Sequence, residues 1–257
     1  MNILDRPQYG FLKTDPRLGK NIIFLTYGGS YAYGTNTEGS DIDIRGCTLN
    51  SKADLLGMGD FEQVVDDHTD TTVYGFNKLL SPLINCNPNT IELLGCKPEY
   101  YFVLTPIGKQ LIDQHRLFLS RRAINSFGGY AGQQLRRLEN ALVHDAYPAE
   151  AKERHIKGSC ENAMHLIRLY LMCLDILERE EIVTFREKDH DLLMDIRNGR
   201  YQRADHTFNT DFYDLLNELE RRLNYAAKHT SLPESPDMTA IEAFQVEVNE
   251  RVVWGEI

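Results

Sequence analysis

Apolar positions follow two rhythms along this 257-residue chain, and one gives way to the other near residue 118. Ile22-Ile23-Phe24-Leu25-Thr26-Tyr27 is a short, unbroken run rich in β-branched and aromatic residues, the pattern of a buried strand. A second strand is expected over about 41–49, and a third near Glu62-Gln63-Val64-Val65, reaching toward Asp70. Spacing by threes and fours at Val73, Phe76, Leu79, Leu80 and Leu83 predicts a helix over 73–84. Asn87-Pro88 offers an N-cap followed by proline at the first helical position, opening a helix through Leu94. Tyr100 to Val103 reads as a further short strand, and Thr105-Pro106 repeats the capping device for a helix to about His115.

Beyond residue 118 the period is helical throughout, over roughly 120–144, 149–181, 187–197, 207–229 and 239–253. Pro148, Gly199 and Ser235-Pro236-Asp237 punctuate these segments. The chain therefore predicts an α+β fold: a sheet-bearing catalytic domain over residues 1–118, then an all-helical domain over residues 119–257.

Composition narrows the class. A content of 42% apolar and 26% charged residues is that of an ordinary globular protein. No apolar run approaches the length that spans a bilayer, and the N-terminus lacks a signal peptide's apolar region, so a cytoplasmic protein without a membrane partner is expected. Five scattered cysteines, never spaced Cys-x-x-Cys, argue for reduced core thiols rather than a zinc site or disulfide framework. The formal charge of −10 does not support a dedicated duplex-binding protein. Basic clusters survive locally at Arg121-Arg122, Arg136-Arg137, Lys152 to Lys157 and Arg197 to Arg203.

The chemistry is concentrated in residues 25–46, where an apolar strand runs into Gly28-Gly29-Ser30, a small-residue loop, and then Asp41-Ile42-Asp43-Ile44. Asp41 and Asp43 are expected on the second strand, where both carboxylates share one face while Ile42 and Ile44 face the core. Paired aspartates beside a glycine turn with free backbone N–H groups suit a metal-plus-phosphate site. A calcium loop fails, because its fifth and twelfth positions would be Arg45 and Lys52. A phosphate loop with Gly-Lys-Ser/Thr, a Gly-x-Ser-x-Gly elbow and a His-Glu-x-x-His motif are all absent from the sequence.

These residues resemble the signature of the DNA polymerase β-type nucleotidyltransferase superfamily, Gly-Ser followed about ten residues later by Asp-x-Asp. More narrowly, the chain resembles the RNA-repair-associated polymerase-β-like nucleotidyltransferases of bacteria and phages. The matching segments are Gly-Gly-Ser-Tyr-Ala-Tyr-Gly-Thr, Ser-Asp-Ile-Asp-Ile-Arg-Gly, Asn87-Pro88-Asn89 with Glu92, His165-x-x-Arg168 and Ile196-Arg197-Asn198-Gly199. The resemblance implies a polymerase-β-like core, a small mixed sheet with flanking helices, and transfer of a nucleoside monophosphate from an NTP to a hydroxyl. It favours an RNA acceptor (an RNA end or a tRNA 3′ end) and two magnesium ions, with manganese as a substitute. Protein and small-molecule acceptors, or a catalytically silent nucleotide-binding module, are the alternatives.

Under that resemblance Asp41 and Asp43 are catalytic metal ligands, joined by a third carboxylate from among Asp66, Asp67 and Asp70. The segment Asp70-Thr71-Thr72-Val73-Tyr74 matches the family's pattern and selects Asp70. Gly28, Gly29 and Ser30 would cradle the triphosphate, and Ser40 would fix Asp41 by a hydrogen bond. Arg45 would contact phosphate or neutralise the acid cluster. Lys157, His165 and Arg168, on one stripe of the 149–181 helix, would bind nucleotide phosphate or base. Arg197, at a glycine-capped helix end, is read first as stabilising the fold, with reach into the same cleft as the alternative.

Overall fold

The computed structural model describes residues 3–143, 149–205 and 207–257, without the side chains of 137, 139–143 and 149–157. A turn of helix, α1 (Phe11–Thr14), leads into strand β1 (Ile22–Tyr27) and the short helix α2 (Gly29–Tyr33). Then come β2 (Ile44–Thr48), α3 (Lys52–Leu56), β3 (Gln63–Asp66) and β4 (Thr71–Gly75). Helices α4 (Phe76–Ile84) and α5 (Pro88–Ile91), strand β5 (Tyr101–Leu104) and helix α6 (Pro106–Asp113) complete the first part. The remainder is helical: α7 (Arg122–Val143), α8 (Ala149–Arg179), α9 (His190–Arg197), α10 (Thr210–His229) and α11 (Met238–Trp254).

The five strands form one mixed sheet in the order β3-β4-β2-β1-β5. β1 is antiparallel to both β2 and β5, β3 is antiparallel to β4, and β2 runs parallel to β4. The α+β architecture, with a small mixed sheet followed by helices, is the one expected.

Two local expectations change. Val73 belongs to a strand, not to the helix that follows it; the helix begins at Phe76, with Gly75 extended before it. Thr71-Thr72-Val73-Tyr74 is β-branched and aromatic, and its burial alternates in-out, so sheet packing outweighs the helical spacing that Val73 happens to share. Asp41 and Asp43 do not lie on β2, which starts one residue later at Ile44. The last β1–β2 pair is Tyr27 with Ile44, and Asp43 is engaged just beyond it through its carbonyl, which accepts from Gly28 N–H at 2.9 Å.

The expected boundary at residue 118 falls just before α7, and one hydrophobic core runs across it. Phe24 of β1 and Phe76 and Leu79 of α4 belong to the same buried cluster as Met172 of α8, Phe212 of α10 and Phe244 of α11. Phe76 and Phe244 meet edge to face at 5.7 Å between ring centres.

Candidate active site

The C-terminal end of β1 delivers the chain into Gly28 and Gly29, and here glycine is a steric requirement. Gly29 has φ +54°, and a Cβ on it would collide with Asp43 Oδ2. A Cβ on Gly28 would lie 2.8 Å from Arg45 Cγ and 3.3 Å from Asp43 Cβ. The turn is thus packed directly against the Asp43 carboxylate. The first N–H groups of the α2 turn, from Gly29 to Tyr31, have no carbonyl a turn earlier to bond.

Asp43 and Asp70 approach each other from neighbouring segments, because β2 and β4 are parallel and Ile44 pairs with Thr71. Asp70 sits at φ +44°, its carbonyl accepting from Ile44 N–H at 3.1 Å and also from Arg45. Arg45 Nη2 lies 2.9 Å from Asp70 Oδ1 and 3.7 Å from Asp43 Oδ1. Of the two roles expected for Arg45, the structure places it between the carboxylates. Burial, then the hydrogen bond and charge of Asp70, push the Asp43 carboxyl up to about 7 despite Arg45. Asp70 moves the other way, held down by the hydrogen bond from Asp43 and by Arg45. The two carboxyls are thus driven apart, Asp43 toward its protonated form and Asp70 toward its ionised form.

Asp41, Asp43 and Asp70 line one open cleft of about 390 Å³, together with Gly29, Ser30 and Ser40. The opposite wall comes from the helical half: Glu161, Met164 and His165 of α8, and Arg197 at the end of α9. His165 also meets the edge of Tyr33, with ring centres 6.2 Å apart. Glu161 and Arg197 hold each other at 3.2 Å, and Arg197 donates to the carbonyl of Thr35 in the loop after α2. Arg197, read from sequence as a stabilising helix end, thus reaches the cleft as well. Glu38, Glu161 and Tyr33 also line it; Tyr33 lies within the Gly-Gly-Ser-Tyr-Ala-Tyr-Gly-Thr segment, Glu161 shares the helical spacing of His165, and Glu38 carried no distinguishing signal in the sequence.

Other expectations fall elsewhere. Ser40 Oγ accepts from Thr37 N–H at 2.8 Å, so the hydroxyl closes the 37–40 turn instead of fixing Asp41. Asp66 is engaged by Thr69, whose N–H and hydroxyl both donate to it, while Asp67 lines a different cleft. Arg168 does not line the cleft. It lies one turn deeper on α8, 4% exposed, with Nη1 3.0 Å from Glu92 Oε2 and its guanidinium 3.6 Å above the Tyr33 ring. Tyr33 donates its phenol hydrogen to Glu92 Oε1 at 2.9 Å, so two separate motif segments meet beneath the cleft as one buried network. A charge so deeply buried must be paired, and Glu92 provides the partner. The side chain of Lys157 lies outside the described residues.

Among the described residues no group of three or more His, Cys, Asp or Glu side chains forms a ready-made metal cage. The donor set of the cleft nevertheless suits a hard divalent cation. Magnesium needs only one or two carboxylates besides substrate oxygens and water, and a cation here would also meet Asp43, whose ionised form burial and then the neighbouring Asp70 disfavour in its absence. Asp41, Asp43 and Asp70 are the residues that could hold it.

No helix among the described residues is long and apolar enough to cross a membrane. A family model described as the RNA repair pathway DNA polymerase beta family matches residues 9–247. Neither the comparison with curated proteins nor that with solved structures yields a match.

Proposed function

Because the chain belongs to the RNA repair pathway DNA polymerase beta family, whose general chemistry is nucleotidyl transfer, we propose that it moves a nucleoside monophosphate from an NTP to a hydroxyl of RNA and releases pyrophosphate. The observation that carries this reading is the Gly28-Gly29-Ser30 turn packed against Asp43, in a cleft that also holds Asp41 and Asp70. The glycines let the triphosphate approach backbone N–H groups next to the carboxylates, and Ser30 adds a hydroxyl donor. Arg197 and His165, on the facing wall, lie where phosphate or base would sit. Magnesium bound at Asp41, Asp43 and Asp70 would supply charge stabilisation of the in-line displacement.

Asp70, kept ionised beside Arg45, accepts a hydrogen bond from the attacking hydroxyl and orients its oxygen toward the α-phosphorus. The new oxygen–phosphorus bond forms as the bond to pyrophosphate breaks, and the hydroxyl proton passes through Asp70 to water. Arg45 limits the repulsion between Asp43 and Asp70 before substrate arrives. The formal charge of −10 favours, as the second reading, transfer to a protein or small-molecule acceptor.

The test is incubation with each α-radiolabelled NTP, magnesium, and total RNA or cell lysate. Label should enter RNA with the wild-type protein and disappear with Asp41→Ala and Asp43→Ala. Label entering protein instead would select the second reading, and unchanged activity in both variants would sink the mechanism.

A further inference from the structure

A second cleft, of about 680 Å³, also opens onto Asp41 and Asp70 and is lined by Arg6, Gln8, Tyr9, Asp67, His68 and Thr69 among others. Ser40, Asp41 and Asp70 line both clefts, so the two volumes meet at the carboxylates. Gly29, Ser30, His165 and Arg197 line only the first, and Arg6, Gln8 and His68 only the second. In-line transfer requires this division: the leaving group departs on one side of the phosphorus while the nucleophile arrives from the other. With the nucleotide in the first cleft, a premise taken from the proposed function, the second is where an attacking hydroxyl has access.

The chemistry of the second cleft indicates what carries that hydroxyl. Arg6 is exposed and has no ion-pair partner among the described residues, whereas Arg45, the arginine beside the carboxylates, is held by Asp43 and Asp70. Arg6 lines the cleft together with Tyr9, and its positive charge opposes the rise that burial gives the Tyr9 and Tyr27 phenols. His68, exposed on the segment before Asp70, adds a ring N–H donor. Tyr9 and Ile42 supply only a thin apolar wall, a poor anchor for a peptide but a good fit for a sugar-phosphate chain.

Charges of both signs line the cleft: Asp41, Asp67 and Asp70 repel phosphate from their own surroundings and leave the place beside the shared carboxylates to a neutral hydroxyl, while Arg6 attracts phosphate. We propose that this cleft seats the accepting end of a nucleic-acid strand, with Arg6 and His68 holding the phosphodiester adjacent to the attacking hydroxyl.

The test is fluorescence anisotropy of the full-length protein with a labelled single-stranded RNA bearing free terminal hydroxyls, over a series of salt concentrations and without NTP. Arg6→Ala should weaken binding about tenfold and reduce the salt slope by about one phosphate contact, and His68→Ala should weaken it less. Lys109→Ala, which removes an exposed charge on α6, serves as the control and should change binding little. Affinity for a fluorescent NTP analogue should be the same in all of them. RNA binding unaffected by Arg6→Ala, an equal loss in Lys109→Ala, or no RNA binding by the wild type would each overturn the proposal. Arg6-dependent RNA binding without transfer from any NTP would leave the cleft standing while the proposed reaction failed.

Discussion

Asp43 is the residue at which structure and chemistry are most tightly joined. Its folded-state pKa is raised from 3.8 to about 7, so the folded protein disfavours its ionised form. That contribution to stability is fully present below the unfolded value and is lost as pH rises through about 7. Metal-free Asp43→Asn should therefore melt a few degrees above wild type at about pH 8, with the advantage shrinking steadily toward about pH 4, in a calorimetric pH series. Magnesium should reverse the order at about pH 8, raising the melting temperature of wild type only, because a ligand that binds the folded state stabilises it. The neighbouring glycine makes a sharper prediction. Gly29→Ala places a methyl group where Asp43 Oδ2 now lies and strains a backbone at φ +54°, so transfer should fall by two orders of magnitude or more, about 3 kcal/mol in barrier. Gly28→Ala should be milder, since Arg45 Cγ belongs to a side chain that can shift. Much of this site was legible in the sequence, because Gly-Gly-Ser and Asp-x-Asp are local patterns whose spacing carries their meaning. That Asp70 joins Asp41 and Asp43 came from the resemblance; the hydrogen-bonded pairing of Asp43 with Asp70 was not legible, since it depends on β2 and β4 lying side by side in parallel, a contact no local pattern encodes.

Helix α8 shows how one element divides its work along its length. Glu161 and His165 line the cleft, while Arg168, next on the same face, is turned to the buried ion pair with Glu92. The stripe was visible in the sequence as polar positions at helical spacing, but the depth at which each would end was not, because burial is set by the partner surface. The same limit applies to β4, where the periodicity of Val73 served strand and helix equally until its neighbours in the sheet decided. Breaking the pair from one side should be costly. Arg168→Ala leaves Glu92 buried with only Tyr33 to donate to it, and chemical denaturation should show a loss of about 3–5 kcal/mol. Removing both charges, as in Glu92→Leu with Arg168→Met, should restore a large part of that stability. It should not restore nucleotide affinity, because Tyr33, which lines the cleft, would lose the acceptor that fixes its ring. A double variant that regained both would mean that the network has no positioning role.

At the scale of the molecule, the cleft exists only because two differently built halves are held together. Its floor comes from the sheet side and its facing wall from α8 and α9. The joints are specific: Arg186 N–H donates to the Tyr33 carbonyl at 2.9 Å, Arg197 donates to the Thr35 carbonyl, and a Cβ on Gly34 would lie 2.5 Å from the Phe185 ring. These contacts clasp the loop between α2 and β2 from the helical side, and beneath them the continuous core carries Phe76 against Phe244. Unfolding one half would expose apolar surface that the other now covers, and each buried aromatic ring contributes on the order of 3–5 kcal/mol relative to alanine. The two halves should therefore lose structure together. In urea, far-UV circular dichroism, dominated by the helices, should give the same midpoint as hydrogen exchange at β1 amides. Phe244→Ala, on the last helix, should lower both midpoints equally, although β1 lies more than two hundred residues away in the chain. If β1 kept its protection after the helical signal was lost, the sheet-bearing half would be an independent folding unit, and the clasp on the 28–41 loop would be a hinge between two bodies rather than part of one.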